Sequence, residues 1–139
     1  MNAVAAPQWR NGWMLLGVAL MAAVAALALL PAARQLNAMA LALPQGDKLL
    51  HVLAFAMLMG WWGNLYHRAR QRLGVAAACL VFGLLIECAQ WPHDPEDASV
   101  WDLAADALGL ALGALLLRTP LAGVLARAER WLGLTQARS

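Results

Sequence analysis

LLIECAQWPHDPEDASVWDLAAD, residues 84–106, closes one apolar run and opens the next, and every formal charge in it is negative. Pro92 and Pro95 interrupt helical hydrogen bonding between the runs, so the stretch reads as a helix end, an acidic loop and a helix start. Glu87 stands near the end of the first helix, and Asp102 and Asp106 stand in the first turns of the second. What flanks this stretch decides whether these are core helices of a soluble domain or membrane spans.

The chain has 139 residues, 63% hydrophobic and 13% charged, with a mean hydropathy of +0.61. That is too apolar for an ordinary soluble domain of this length. One lysine and nine arginines give a net charge of only +2. The basic residues are scattered between apolar runs rather than gathered on a stripe, which argues against nucleic-acid binding. Membrane lipids and envelope components are the expected partners.

A spanning helix needs about 20 largely apolar residues, and four segments are expected to qualify: residues 13–30, 47–66, 73–91 and 101–117. The first contains no charge and is closed by Pro31. It also has the basic flank of a signal peptide, although its apolar run exceeds the usual 7–15 residues. The other three load their polar residues at one edge. The expected fold is therefore all-α: a four-helix transmembrane bundle over 13–118, after a cytoplasmic N-terminus of residues 1–12. Residues 119–139 follow as a cytoplasmic amphipathic tail, with Leu121, Val124, Leu125, Ala128, Trp131 and Leu132 at helical spacing. Trp9, Trp13, Trp61, Trp62, Tyr66, Trp91 and Trp101 fall near the proposed helix ends, where amphipathic rings favour the headgroup zone. Gly109 and Gly113 form a GxxxG pair that suits close helix packing.

Arginine placement orients the chain. Arg10 precedes the first helix, Arg68, Arg70 and Arg72 are assigned to the loop between the second and third, and Arg118, Arg127, Arg130 and Arg138 follow the fourth. The opposite side holds Arg34 and Lys48, and the loop with Asp94, Glu96 and Asp97 has no basic residue. The positive-inside rule then puts both termini in the cytoplasm of a bacterial inner membrane.

With that orientation the second helix starts outside, the third ends outside and the fourth starts outside. Asp47, Lys48, His51, Glu87, Gln90, Ser99, Asp102 and Asp106 should then gather at one membrane face. His51, Glu87 and Asp106 lie about 6 Å inside the boundary at 1.5 Å per residue. Asp47 with His51, Glu87 with Gln90 and Asp102 with Asp106 each share a helix face by spacing. An ionisable group facing lipid costs about 2.5–3.5 kcal/mol near the bilayer centre, so these groups should face one another or an aqueous cavity.

Simpler roles account for part of the set. Asp47 suits a helix N-terminus, and Ser99 with Asp102 fits an S-x-x-D capping box. Lys48 can snorkel to the headgroups, and the loop carboxylates can be solvated turn residues. His51, Glu87 and Asp106 are the candidates for acid–base catalysis, for binding, or for a structural latch between helices. There is no HExxH and no dense His/Cys cluster, so neither metal nor cofactor is expected. Cys79 and Cys88, nine residues apart on one helix, stand about 13 Å apart along its axis, too far for a disulfide.

In the ordered set DKLLH (Asp47, Lys48, His51), IECAQ (Glu87, Gln90) and DASVWDLAADALG (Ser99, Asp102, Asp106, Gly109), the chain resembles the VanZ-like family of small bacterial membrane proteins, named for a teicoplanin-resistance factor. The resemblance covers about half the chain. Glu96 stands where the family usually has an arginine, and Asp106 where it has an asparagine, so this chain's version of the site is more acidic. The resemblance implies a bacterial envelope protein, and the expected function is non-enzymatic: it binds or shields a cell-wall or lipid-linked component and affects glycopeptide susceptibility. A small membrane enzyme acting on a lipid headgroup and a purely structural assembly protein are the alternatives.

Overall fold

A computed structural model describes residues 7–30, 45–92 and 100–134. Within them the chain is all-helical: α1 Arg10–Leu29, α2 Gly46–Leu65, α3 Ala69–Gln90, α4 Val100–Leu116 and α5 Val124–Trp131. Ser99, Arg34 and the carboxylates Asp94, Glu96 and Asp97 lie outside the described residues, as does the Ser side of the expected capping box.

Two helices, α1 and α3, are long and apolar enough to cross a membrane. The four spans expected from the sequence exceed that pair: α4 is 17 residues long, and α2 carries Asp47, Lys48 and His51 in its first turns. Only 17% of the α1 apolar window and 22% of the α3 window is buried. Leu15 and Leu73 are more than two-thirds exposed. Apolar exposure on this scale is foreign to soluble monomers, whose large apolar patches mark interaction surfaces.

α2 is the central helix, contributing Phe55, Leu58 and Met59 to a core completed by Cys79 of α3, Leu110 of α4 and Leu117 beyond it. Its closest partner is α4. One stripe of α4, Asp102, Ala105, Asp106, Gly109, Leu110 and Gly113, is buried. A Cβ at Gly109 would collide with the Val52 carbonyl, and one at Gly113 with the Ala56 carbonyl, both on the α2 backbone. The GxxxG pair thus sets how near the two helices lie. The same stripe, read toward the N-terminus, delivers the two aspartates to α2.

The connection between α2 and α3 is shorter than the arginine-filled loop expected from the sequence. It consists of residues 66–68, and Arg70 and Arg72 belong to the first turn of α3. Arginine is a good helix former, and the Arg68 amide donates to Gln71 Oε1 at 3.3 Å. Arg72 Nε donates to the carbonyls of Gly63 and Tyr66, at 3.2 and 2.9 Å, which satisfies acceptors orphaned at the end of α2.

At this basic end the tail folds back on the bundle. Glu129 of α5, 1% exposed, accepts from the Gln8 amide at 2.7 Å, the Trp9 amide at 2.8 Å and Trp13 Nε1 at 2.7 Å. Asn64 Oδ1 of α2 accepts from the amides of Gly123 and Val124 and so caps α5 from another helix. Gly123, at φ 82°, takes the left-handed conformation that glycine adopts without strain. Of the expected amphipathic stripe, Leu125 is buried, while Leu121, Val124, Trp131 and Leu132 stay exposed. Trp13 departs from the headgroup role expected for it. It is buried, packs edge-on against Trp9 and Trp61, and its carbonyl accepts from Trp61 Nε1 at 3.1 Å.

Candidate functional site

At the opposite end, α2 begins, α3 finishes and α4 begins, and their polar residues meet. Lys48 Nζ of α2 donates to Asp102 Oδ1 of α4 at 3.1 Å and to Asp47 Oδ2 at 2.8 Å. One turn deeper, His51 Nδ1 lies 2.7 Å from Asp106 Oδ1. Two cross-helix pairs therefore join α2 to α4 at successive turns, as the four-residue spacing of Asp102 and Asp106 requires.

Glu87 of α3 completes the group. It is buried, and its carboxylate, a carboxylate of Asp102 and a ring nitrogen of His51 place ligand-type atoms within 4.8 Å of one another. Asp106 is fully buried, and its Oδ2 has no hydrogen-bond partner. That oxygen lies where a Cβ on Gly83 would stand. Gly83 is one turn before Glu87 on α3, so the glycine makes room for the carboxylate between three helices. Phe55 floors the crevice, stacked on the His51 ring at 6.4 Å between centroids and 7° between planes.

Two candidates leave the group. Asp47, with a side chain 60% exposed, stays at the rim with Lys48 and does not share the buried face with His51. Gln90 Nε2 donates to the Ala28 carbonyl of α1 at 3.2 Å, tying α1 to α3. Its spacing from Glu87 allowed a common face, but the end of α1 offers a backbone acceptor that the acidic crevice does not. The crevice proper is Lys48, His51, Glu87, Asp102 and Asp106, four of them half-buried or buried carboxylate and imidazole groups supplied by three helices.

Beside the crevice a groove of about 420 Å³ opens between α2 and α4, lined by Lys48, Leu49, Val52, Ala104, Ala105 and Leu108. Residue types gave no sign of it, because Leu49 and Leu108 are indistinguishable in sequence from other lipid-like positions. Chemically the arrangement combines an oriented His–carboxylate pair, spare carboxylate oxygens and an adjoining apolar channel headed by a lysine. No protein-family model, curated protein or solved structure matches this chain.

Proposed function

We propose that the chain is a four-span, VanZ-like protein of the bacterial inner membrane whose outward crevice receives the head of a lipid or lipid-linked cell-wall component. The observation that carries this reading is the juxtaposition of the buried polar crevice with the apolar groove headed by Lys48. An amphiphile has these two parts, and ligand sites pair a mostly apolar lining with a few placed polar groups. Four carboxylates, Asp47, Glu87, Asp102 and Asp106, stand against Lys48 and His51, so the head that fits is rich in donors, an amine, amide or hydroxyl group, rather than a bare anion. Exposed apolar side chains along α1 and α3 support membrane embedding, and the arginine distribution supports cytoplasmic termini. Exposed Trp91 and Trp101, at the rim of the crevice, suit the outer headgroup zone.

Two experiments test it. Cysteines introduced as Asp97→Cys and Arg70→Cys in a cysteine-free background should react from outside and inside, respectively; labelling of position 70 from outside intact cells overturns the orientation. Native mass spectrometry of protein extracted from bacterial membranes should show a retained lipid-linked species that is lost on Leu108→Trp, which fills the groove. Retention unchanged by that substitution would reject the groove as the binding place.

The His51–Asp106 pair favours a second reading, an enzyme acting on the same headgroup, because a carboxylate on one ring nitrogen holds an imidazole ready for proton transfer. Chemical change of the bound lipid over time, abolished by His51→Gln, distinguishes it from binding alone.

A further inference from the structure

Three helices each bring one metal-ligating side chain to a common point. A ring nitrogen of His51 and oxygens of Glu87 and Asp102 lie within 4.8 Å of one another, with both carboxylates buried. Zinc holds imidazole nitrogen and carboxylate oxygen at about 2.0–2.2 Å, so tetrahedral ligands stand roughly 3.4 Å apart. The three ligand-type atoms stand near enough for one ion to bridge them with side-chain adjustment. Asp102 keeps a second oxygen besides the one that accepts from Lys48.

An independent feature points the same way. Asp106, outside the trio, lies 2.7 Å from His51 Nδ1. A proton on Nδ1 donated to this carboxylate leaves the lone pair on Nε2, and histidines that bind metals commonly have such a backing carboxylate. Asp106 is fully buried, and its other oxygen, Oδ2, points without a partner into the α3 side of the crevice at Gly83. Carboxylates this deep are costly as bare anions, and Lys48 is held at the rim by Asp47 and Asp102.

We propose that the crevice binds one divalent transition-metal ion through His51, Glu87 and Asp102, with Asp106 orienting the imidazole. The imidazole nitrogen among the oxygen ligands favours zinc over magnesium and calcium. Three protein ligands leave a position open for water or for a donor on a bound head. The inference stands on the ligand geometry alone and does not depend on what the crevice receives.

The test uses the full chain in detergent, stripped with a chelator and titrated with zinc against a chromophoric competitor in the absence of added lipid. One zinc per chain is expected, with magnesium about 100-fold weaker or more. Glu87→Gln should weaken zinc binding at least about 10-fold, and Asp106→Asn about 10–100-fold, as expected for a ligand and for a group behind one. Cobalt in place of zinc should give a visible spectrum that His51→Ala changes, while His67→Ala leaves affinity and spectrum as they are. If His51→Ala does not fold, the near-isosteric Glu87→Gln and Asp106→Asn carry the test. Substoichiometric zinc in the unaltered protein, or zinc affinity in both of these variants unchanged from that of the unaltered protein, overturns the proposal. Lipid retention that survives either result leaves the proposed function standing and removes only the metal.

Discussion

His51 Nδ1 and Asp106 Oδ1 lie 2.7 Å apart although 55 residues separate them in the chain. The pair joins α2 to α4 one turn below Lys48 and Asp102. Removing His51 strands the buried Asp106 carboxylate, so His51→Ala should destabilise the protein by about 1–3 kcal/mol, the usual cost of leaving a buried acceptor without its partner. Adding Asp106→Leu should recover most of that loss. Thermal unfolding of the single and double variants in one detergent measures the difference, and an equal loss in both would show the pair to be energetically idle.

Gly109 and Gly113 admit the α2 backbone so closely that no side chain fits. Gly113→Leu should separate α2 from α4 and cost more than the 1–3 kcal/mol typical of an overpacked core, because backbone rather than side chain must move. Gly74, with open space around its missing Cβ, is the control: Gly74→Ala should be neutral or slightly stabilising. Denaturation midpoints in mixed detergent compare the two.

Glu129 satisfies three donors from the segment preceding and opening α1. Glu129→Ala leaves the buried Trp13 Nε1 without an acceptor, and about 1–3 kcal/mol for an orphaned buried group sets the scale of the loss. Glu129→Gln keeps one acceptor oxygen and should lose less. Protease cleavage within the tail, followed by mass spectrometry, should rise in the same order.

His67, in the turn between α2 and α3, is held below the usual imidazole value of 6.5, first by burial and then by the positive charge of Arg72. The unfolded chain therefore takes up a proton before the folded chain does. The stability due to neutral His67 is complete above about pH 6.5 and is lost as pH falls through the lower folded value. Melting temperature should drop more between pH 7.5 and 5 for the unaltered protein than for His67→Gln.

The pattern of apolar runs gave helix positions to within a few residues, since the described helices begin and end close to the expected bounds. The largest difference is the start of α3, where arginines expected in a loop instead propagate a helix and cap its neighbour. Convergence of His51, Glu87, Asp102 and Asp106 was legible because each carries a helical spacing to one end of its helix. Gln90 and Asp47 were not separable from them by spacing, because their partners, the Ala28 carbonyl and Lys48, are chosen by local geometry. The metal-type trio has no sequence motif at all: its ligands come singly from three helices, at positions 51, 87 and 102. Glu129 was hidden for a related reason, as a lone acid between Arg127 and Arg130 resembles a solvated helix face until Trp13 is placed beside it.

The contact between Glu129 and Trp13 spans 116 residues. During synthesis the acceptor emerges from the ribosome long after the donors, when α1 through α4 have already been made. The basic end of the bundle can therefore close only after α5 has been made. Until then Trp13 and the neighbouring amides are left for another acceptor to occupy, and a chain stalled or truncated before residue 129 would carry an unsealed end.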